Sequence, residues 1–258
     1  MTASSVCCSH ALPVMRRRWG GAPPARTVRQ GGTVAIKRTA KRAAKATRPT
    51  LDSETEELAL HGGPVAGVDE AGRGPLAGPV VAAAVAFDAG DIASGLAGDL
   101  AALDDSKALG EAQREHLHGL ITARYPVGVG VVEVADIDRL NILQATMAAM
   151  EMAVGQLPVA PRAVLVDGNR LPRLACHGRA VVGGDARCTS IAAASVVAKV
   201  HRDRIMVALD VLYPQYGFGR HKGYGTKAHL AAIAEHGVID QHRRSFRPVR
   251  VALGEESD

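Results

Sequence analysis

Gly67-Val68-Asp69-Glu70-Ala71-Gly72-Arg73-Gly74-Pro75-Leu76-Ala77-Gly78-Pro79 is the stretch on which the reading of this chain turns. The apolar run Val65 to Val68 reads as a buried strand, and it ends in two adjacent acids followed by a turn rich in glycine and proline. Directly after the turn, Val80 to Phe87 reads as a second strand, joined too closely to the first for a helical crossover. Working outward, Val127 to Val134 and Ala163 to Val166 read as further strands, with helical segments near 110–123, 138–156, 188–212 and 226–236. In the third helical segment, Ile191, Ala194, Ala198, Ile205, Leu209 and Leu212 recur at helical spacing, while Ser195, Lys199 and Arg202 recur on a different face. This pattern predicts an amphipathic helix with one polar side. The mixture predicts an α/β domain with a mixed central sheet flanked by helices.

Two more acids occur in surroundings like those of Asp69 and Glu70. Asp167 closes the apolar run Val164-Leu165-Val166, and Asp185 follows Val181-Val182-Gly183-Gly184. Carboxylates gathered in one place repel one another unless a cation neutralises them. A set of hard oxygen ligands without His or Cys points to magnesium or manganese. Two such ions about 4 Å apart activate water and stabilise the leaving oxygen in phosphodiester hydrolysis. Taken one at a time, the same acids also fit separate turn residues and helix caps. His201 and His221 have no partner at ligand spacing and stay outside this set.

Charge is unevenly distributed. The chain has a formal net charge of +5, yet residues 1–50 carry eleven Lys or Arg and no acid, leaving twenty basic against twenty-six acidic residues beyond them. Residues 51–198 hold ten basic and nineteen acidic side chains, and residues 199–250 hold ten and four. An acidic centre beside a basic flank suits an enzyme that holds metal with carboxylates and phosphate with Lys and Arg. The expected organisation is a basic, unstructured extension over residues 1–60, a catalytic domain over 61–250 and an acidic tail over 251–258. The extension's composition also fits a transit peptide, or a start at Met15. Cys7, Cys8, Cys176 and Cys188 show no C-x-x-C spacing. The longest purely apolar run, Val80 to Phe87, is eight residues, far below the roughly 20 that span a bilayer. A cytoplasmic protein without membrane association is expected.

The strand-end run quoted above occurs in order with Asp105-Ser106-Lys107, Val166-Asp167-Gly168-Asn169, Gly184-Asp185-Ala186-Arg187, Ser190 to Val200 and His221-Lys222-Gly223-Tyr224-Gly225-Thr226. In this order the set resembles ribonuclease HII over about residues 63–249. The resemblance implies an RNase H-like fold with a C-terminal helical extension. It implies cleavage of the RNA strand of RNA/DNA hybrids, and incision 5′ of single ribonucleotides in duplex DNA, leaving 5′-phosphate and 3′-hydroxyl ends. It makes Asp69, Glu70, Asp167 and Asp185 the catalytic metal ligands for Mn2+ or Mg2+. The backbone of Gly72, Arg73 and Gly74 becomes the sensor of the ribose 2′-hydroxyl, and glycine allows that close approach. Tyr224 becomes the residue packing on the neighbouring deoxyribose. Lys107, Ser195 and Lys199 are candidate phosphate contacts. The related type HIII enzymes usually have a different turn after the first acids and an N-terminal platform. Gly183 stands where relatives often have Lys, and Cys188 where the residue is usually small or polar. A monomer is expected. Two other functions share parts of this pattern: an RNase H-like nuclease acting on DNA structures, and a non-catalytic nucleic-acid binder working through its basic extension.

Overall fold

A computed structural model describes residues 48–103, 106 and 109–255. Residues 1–47, Asp105, Lys107 and the end of the acidic tail lie outside the described residues, and with them the expectations placed there. Five strands, β1 (Val65–Ala71), β2 (Val80–Phe87), β3 (Val127–Val132), β4 (Ala163–Asp167) and β5 (His177–Val181), form one sheet in the order β3-β2-β1-β4-β5. The β1/β2 and β2/β3 pairs are antiparallel, whereas β1/β4 and β4/β5 are parallel. This is the mixed sheet the sequence predicts.

Every residue of β2 is buried, because a layer of helix covers each face of the sheet. The short α2 (Ala89–Ser94) follows β2, and on one face α3 (Glu111–Arg124) and α6 (Thr189–Leu212) pack Leu117, Ile121, Ile191 and Val197 against Ala83, Val85 and Phe87. On the other, α4 (Val134–Leu140) and α5 (Ile142–Gly155) pack Ile137, Ala149 and Met150 against Ala82, Ala84 and Val166. The helices lie unusually close to the strands. A Cβ at Gly67 would stand 2.1 Å from the Ser190 carbonyl carbon, and one at Gly130 would stand 2.0 Å from the Ala149 oxygen. Glycine at these two positions lets helix backbone rest directly on the sheet. Beyond α6, α7 (Phe218–His221), α8 (Lys227–His236) and α9 (Arg247–Ala252) form the C-terminal helical part, centred on Met206, Tyr216 and Phe218.

Three expectations change. The helix read over 138–156 is two helices divided at Asn141, which adopts φ 69° and accepts hydrogen bonds from the Leu143 and Gln144 amides at 3.0 and 3.1 Å. Asn tolerates that left-handed conformation and its side chain starts the next helix. The polar side of α6 does not face solvent, since Ser195 and Arg202 are buried while Leu212 is exposed. The region assigned to an unstructured extension contains α1 (Asp52–His61), with Glu54 and Glu57 buried. Glu54 accepts from the Ser190 amide at 2.7 Å and its hydroxyl at 2.6 Å, putting a carboxylate at the start of α6. A helix whose acids point inward has no outward apolar stripe to announce it.

Candidate active site

The parallel pairing of β1 with β4 puts Val68 opposite Val166, so Asp69 and Asp167 leave neighbouring strands at the same level. Glu70 joins them, and one carboxylate oxygen from each of the three residues lies within 4.8 Å of the others. Asp69 is 4% exposed and its Oδ1 accepts the Glu70 amide at 2.7 Å. Asp167 Oδ1 accepts the Gly184 amide at 2.7 Å. Burial, followed by the charges of Glu70 and Asp167, holds the Asp69 carboxyl well above the ordinary carboxylate range, while hydrogen bonds from the Glu70 amide and Ser195 pull it back. Three acids in this state are stabilised by a cation, and an all-oxygen donor set fits a hard divalent ion.

Asp185 stands outside this trio. It is buried in the short turn Gly184–Ala186, where its Oδ1 accepts the Ala186 amide at 3.0 Å. The Gly184 amide ties that same turn to Asp167, so the fourth acid adjoins the cluster without entering it. Cys188 follows, fully buried, with its thiol pushed up by burial, which opposes the thiolate form that oxidises readily. Gly183 adopts φ 64° in open space.

The trio opens into a cleft of about 250 Å3 lined also by Gly72, Arg73, Gly74, Ser106, Ser195, Lys199, Arg202 and Tyr224. Arg73 reaches Glu70 at 3.4 Å. The Ser106 and Ser195 hydroxyls are 2.7 Å apart. Lys199 Nζ is 2.7 Å from Asp203 Oδ1, one helical turn away. Tyr224 is 49% exposed, and a Cβ at Gly74 would lie 3.5 Å from its ring. Ten of the eleven predicted site residues are thus described, and nine of them line this one cleft, Asp185 being the exception.

Two buried arginines hold the rim. Arg243 donates through Nη2 to the carbonyls of Gly72 (2.6 Å), Gly78 (2.8 Å) and Pro79 (3.1 Å), through Nη1 to Arg73 (3.1 Å) and through Nε to Gly78 (3.0 Å). Arg202 donates to Pro79, Ala77 and Lys222 at 3.0–3.1 Å, linking the Gly72–Pro79 turn to the Tyr224 loop. Gly72, at φ 97°, leaves room for it: a Cβ there would stand 2.0 Å from Arg202 Nε. In the sequence, Arg202 and Arg243 count as part of a basic flank. Folded, neither is on the surface, and a fork of donors meeting a knot of carbonyls is what an arginine interior to a turn provides. No signal short of the pairing of residues 72–79 with 241–243 identifies them.

Carboxylates clustered where the parallel pairing of β1 with β4 ends, beside a glycine turn in a mixed sheet, define a metal-dependent nuclease of RNase H-like architecture. The chain belongs to the ribonuclease HII family, whose model matches residues 66–249. It is 56% identical over 201 residues to ribonuclease HII of Rhizorhabdus wittichii, covering 78% of this chain and 94% of that one. It is 54% identical over 197 residues to ribonuclease HII 1 of Methylibium petroleiphilum, covering 75% and 95%. Among solved structures, ribonuclease H2 of Pyrococcus horikoshii superposes with a TM-score of 0.61 at 26% identity, covering 73% of this chain and 96% of that one. Among the described residues, no helix is long and apolar enough to cross a membrane.

Proposed function

We propose that the protein cleaves the RNA strand of RNA/DNA hybrids and incises 5′ of single ribonucleotides in duplex DNA, using magnesium or manganese. The observation that carries this reading is the meeting of Asp69, Glu70 and Asp167 with the Gly72-Arg73-Gly74 turn and Tyr224 in one cleft. Asp69, Glu70 and Asp167, with Asp185 from the adjoining turn, are the residues that would hold the ions. Bound there, a metal supplies Lewis acidity toward phosphate and a lowered pKa for water. The chain's own residues set the position of the strand. Because Arg243 and Arg202 hold the turn's carbonyls, the 2′-hydroxyl sensor is preset before substrate arrives, and little ordering entropy opposes binding. The half-exposed Tyr224 ring next to Gly74 offers a flat apolar face to a sugar lacking the 2′-hydroxyl. Lys199 contacts phosphate by exchanging Asp203 as its partner.

The test is a duplex with one embedded ribonucleotide, a uniform RNA/DNA hybrid and an all-DNA duplex, each incubated with metal-loaded protein. Cleavage 5′ of the ribonucleotide with 5′-phosphate product, and none of the all-DNA duplex, is expected. A folded, metal-loaded protein that leaves both ribonucleotide substrates intact refutes the proposal. Tyr224→Ala is expected to impair the single-ribonucleotide substrate more than the uniform hybrid.

A further inference from the structure

A second cluster of metal-ligating side chains stands at the other end of the sheet. Glu57 and His61 are one helical turn apart on α1. His177 opens β5 opposite Ala163, the first residue of β4, whereas the candidate active-site residue Asp167 is the last residue of β4 and pairs with Val181. His61 Nε2 is 3.4 Å and His177 Nε2 is 3.5 Å from the same oxygen, Glu57 Oε2. The two imidazoles are stacked, with centroids 4.1 Å apart and 20° between planes.

Glu57 is the buried member of the cluster. It is 2% exposed, and its Oε2 is buried without a hydrogen-bond partner. Such an oxygen is destabilising unless something positive meets it. Its other oxygen forms an ion pair with Arg179 Nε at 3.0 Å, without the alignment of a hydrogen bond, two residues along β5 from His177. That ion pair leaves Oε2 to the two imidazole nitrogens. Separations of 3.4 and 3.5 Å are long for hydrogen bonds. They match the roughly 3.3–3.5 Å between ligand atoms around a tetrahedral ion with bonds near 2.0–2.2 Å.

We propose that Glu57, His61 and His177 bind a borderline divalent transition ion, zinc first among them, with water completing the coordination. Two imidazoles and one carboxylate are softer than the all-oxygen cluster at Asp69, so the two sites sort different metals. Both histidines retain solvent access, which gives the ion an entry path. The site fastens α1 to the edge strand β5, next to the Glu54–Ser190 anchor of α6. The proposal does not depend on the substrate reading above.

The test titrates full-length protein with cobalt(II) and then zinc(II), in excess magnesium so that the acid cluster is filled by a hard ion. Expected are one equivalent bound, a visible cobalt spectrum with imidazole ligation, and a zinc-dependent rise in melting temperature. Removing a neighbour that only orients a ligand weakens metal about 10–100-fold, so His61→Ala and His177→Ala should each weaken it at least about tenfold. His118→Ala, at a buried histidine of α3 outside this cluster, should not, and magnesium-supported cleavage by His177→Ala should equal that of the unaltered protein. Absence of cobalt and zinc uptake, or uptake indifferent to both His61→Ala and His177→Ala, overturns the proposal. Because both histidines are partly exposed, these variants keep the test valid even where Glu57→Gln fails to fold.

Discussion

Replacing Arg243 by Met keeps the length of the side chain and removes the guanidinium that organises the active-site rim. Three carbonyls, those of Gly72, Arg73 and Gly78, lose Arg243 as donor, while the Pro79 carbonyl keeps Arg202. At a low-end value of about 1 kcal/mol for each stranded acceptor, the loss is roughly 3 kcal/mol. Part of it is offset, because burial and then the charge of Arg202 disfavour the cation, drawing its pKa down to about 9. For a domain of this size, about 3 kcal/mol lowers the melting temperature by roughly 6–12 °C, short of unfolding it at room temperature. The functional effect should be larger than the structural one. A turn displaced by about 1 Å from its productive position costs on the order of a hundredfold in rate. Thermal melts paired with steady-state cleavage of a single-ribonucleotide duplex measure both quantities. Arg243→Lys, which restores the charge without the fork, should recover little of either. A variant that melts within about 2 °C of the parent and cleaves at the parental rate would show that the turn does not need its buried clamp.

Asp69→Asn should abolish cleavage while leaving duplex binding within a few-fold, as measured by anisotropy. Because the Asp69 carboxyl is raised in the fold, its ionised form opposes folding at neutral pH, so the Asn variant should melt higher than the parent in chelator and gain less from magnesium. His242, buried 3.1 Å from His229, is drawn down to about 4 by burial and then by His229. The unfolded chain, at about 6.5, takes up its proton first, so stability should be full above that pH and fall as the pH drops from about 6.5 to 4. Urea titrations across that window check it, and a flat profile would contradict the buried neutral pair. Deleting residues 1–47 should leave melting and cleavage unchanged, whereas deleting 1–61 removes the Glu54 cap on Ser190 and should destabilise by about 1–2 kcal/mol or more.

The elements most legible in the sequence were those buried on both sides. Val80 to Phe87 is apolar throughout because helices cover both faces, and its predicted bounds match β2 residue for residue. β5 is legible only at its end, where Val181-Val182 before Asp185 reads as a strand end, because the remainder of this edge strand, His177-Gly178-Arg179, carries no apolar run. α1 is not legible because its inward-facing residues are glutamates, whose contacts with Ser190 and Arg179 lie far away in sequence. At the active site, acids and glycines were readable because their chemistry is unusual at a strand end. Lys199 was readable as a cleft residue, but not its engagement with Asp203. Arg202 and Arg243 were illegible, since a buried arginine and a surface arginine are the same letter until the carbonyls around them are placed.

The pairing of β1 with β4 also bears on when this protein becomes dangerous to nucleic acid. Asp69 emerges from the ribosome before its partner Asp167, which follows only after β2, β3 and four helices, and Arg243 follows later still, after α8. A contact between elements so distant in sequence forms late in folding, after shorter-range structure has closed the intervening loops. A nascent or prematurely ended chain therefore carries the first two acids without a cutting centre. Synthesis past Asp167 and Arg243 is the event that arms the enzyme.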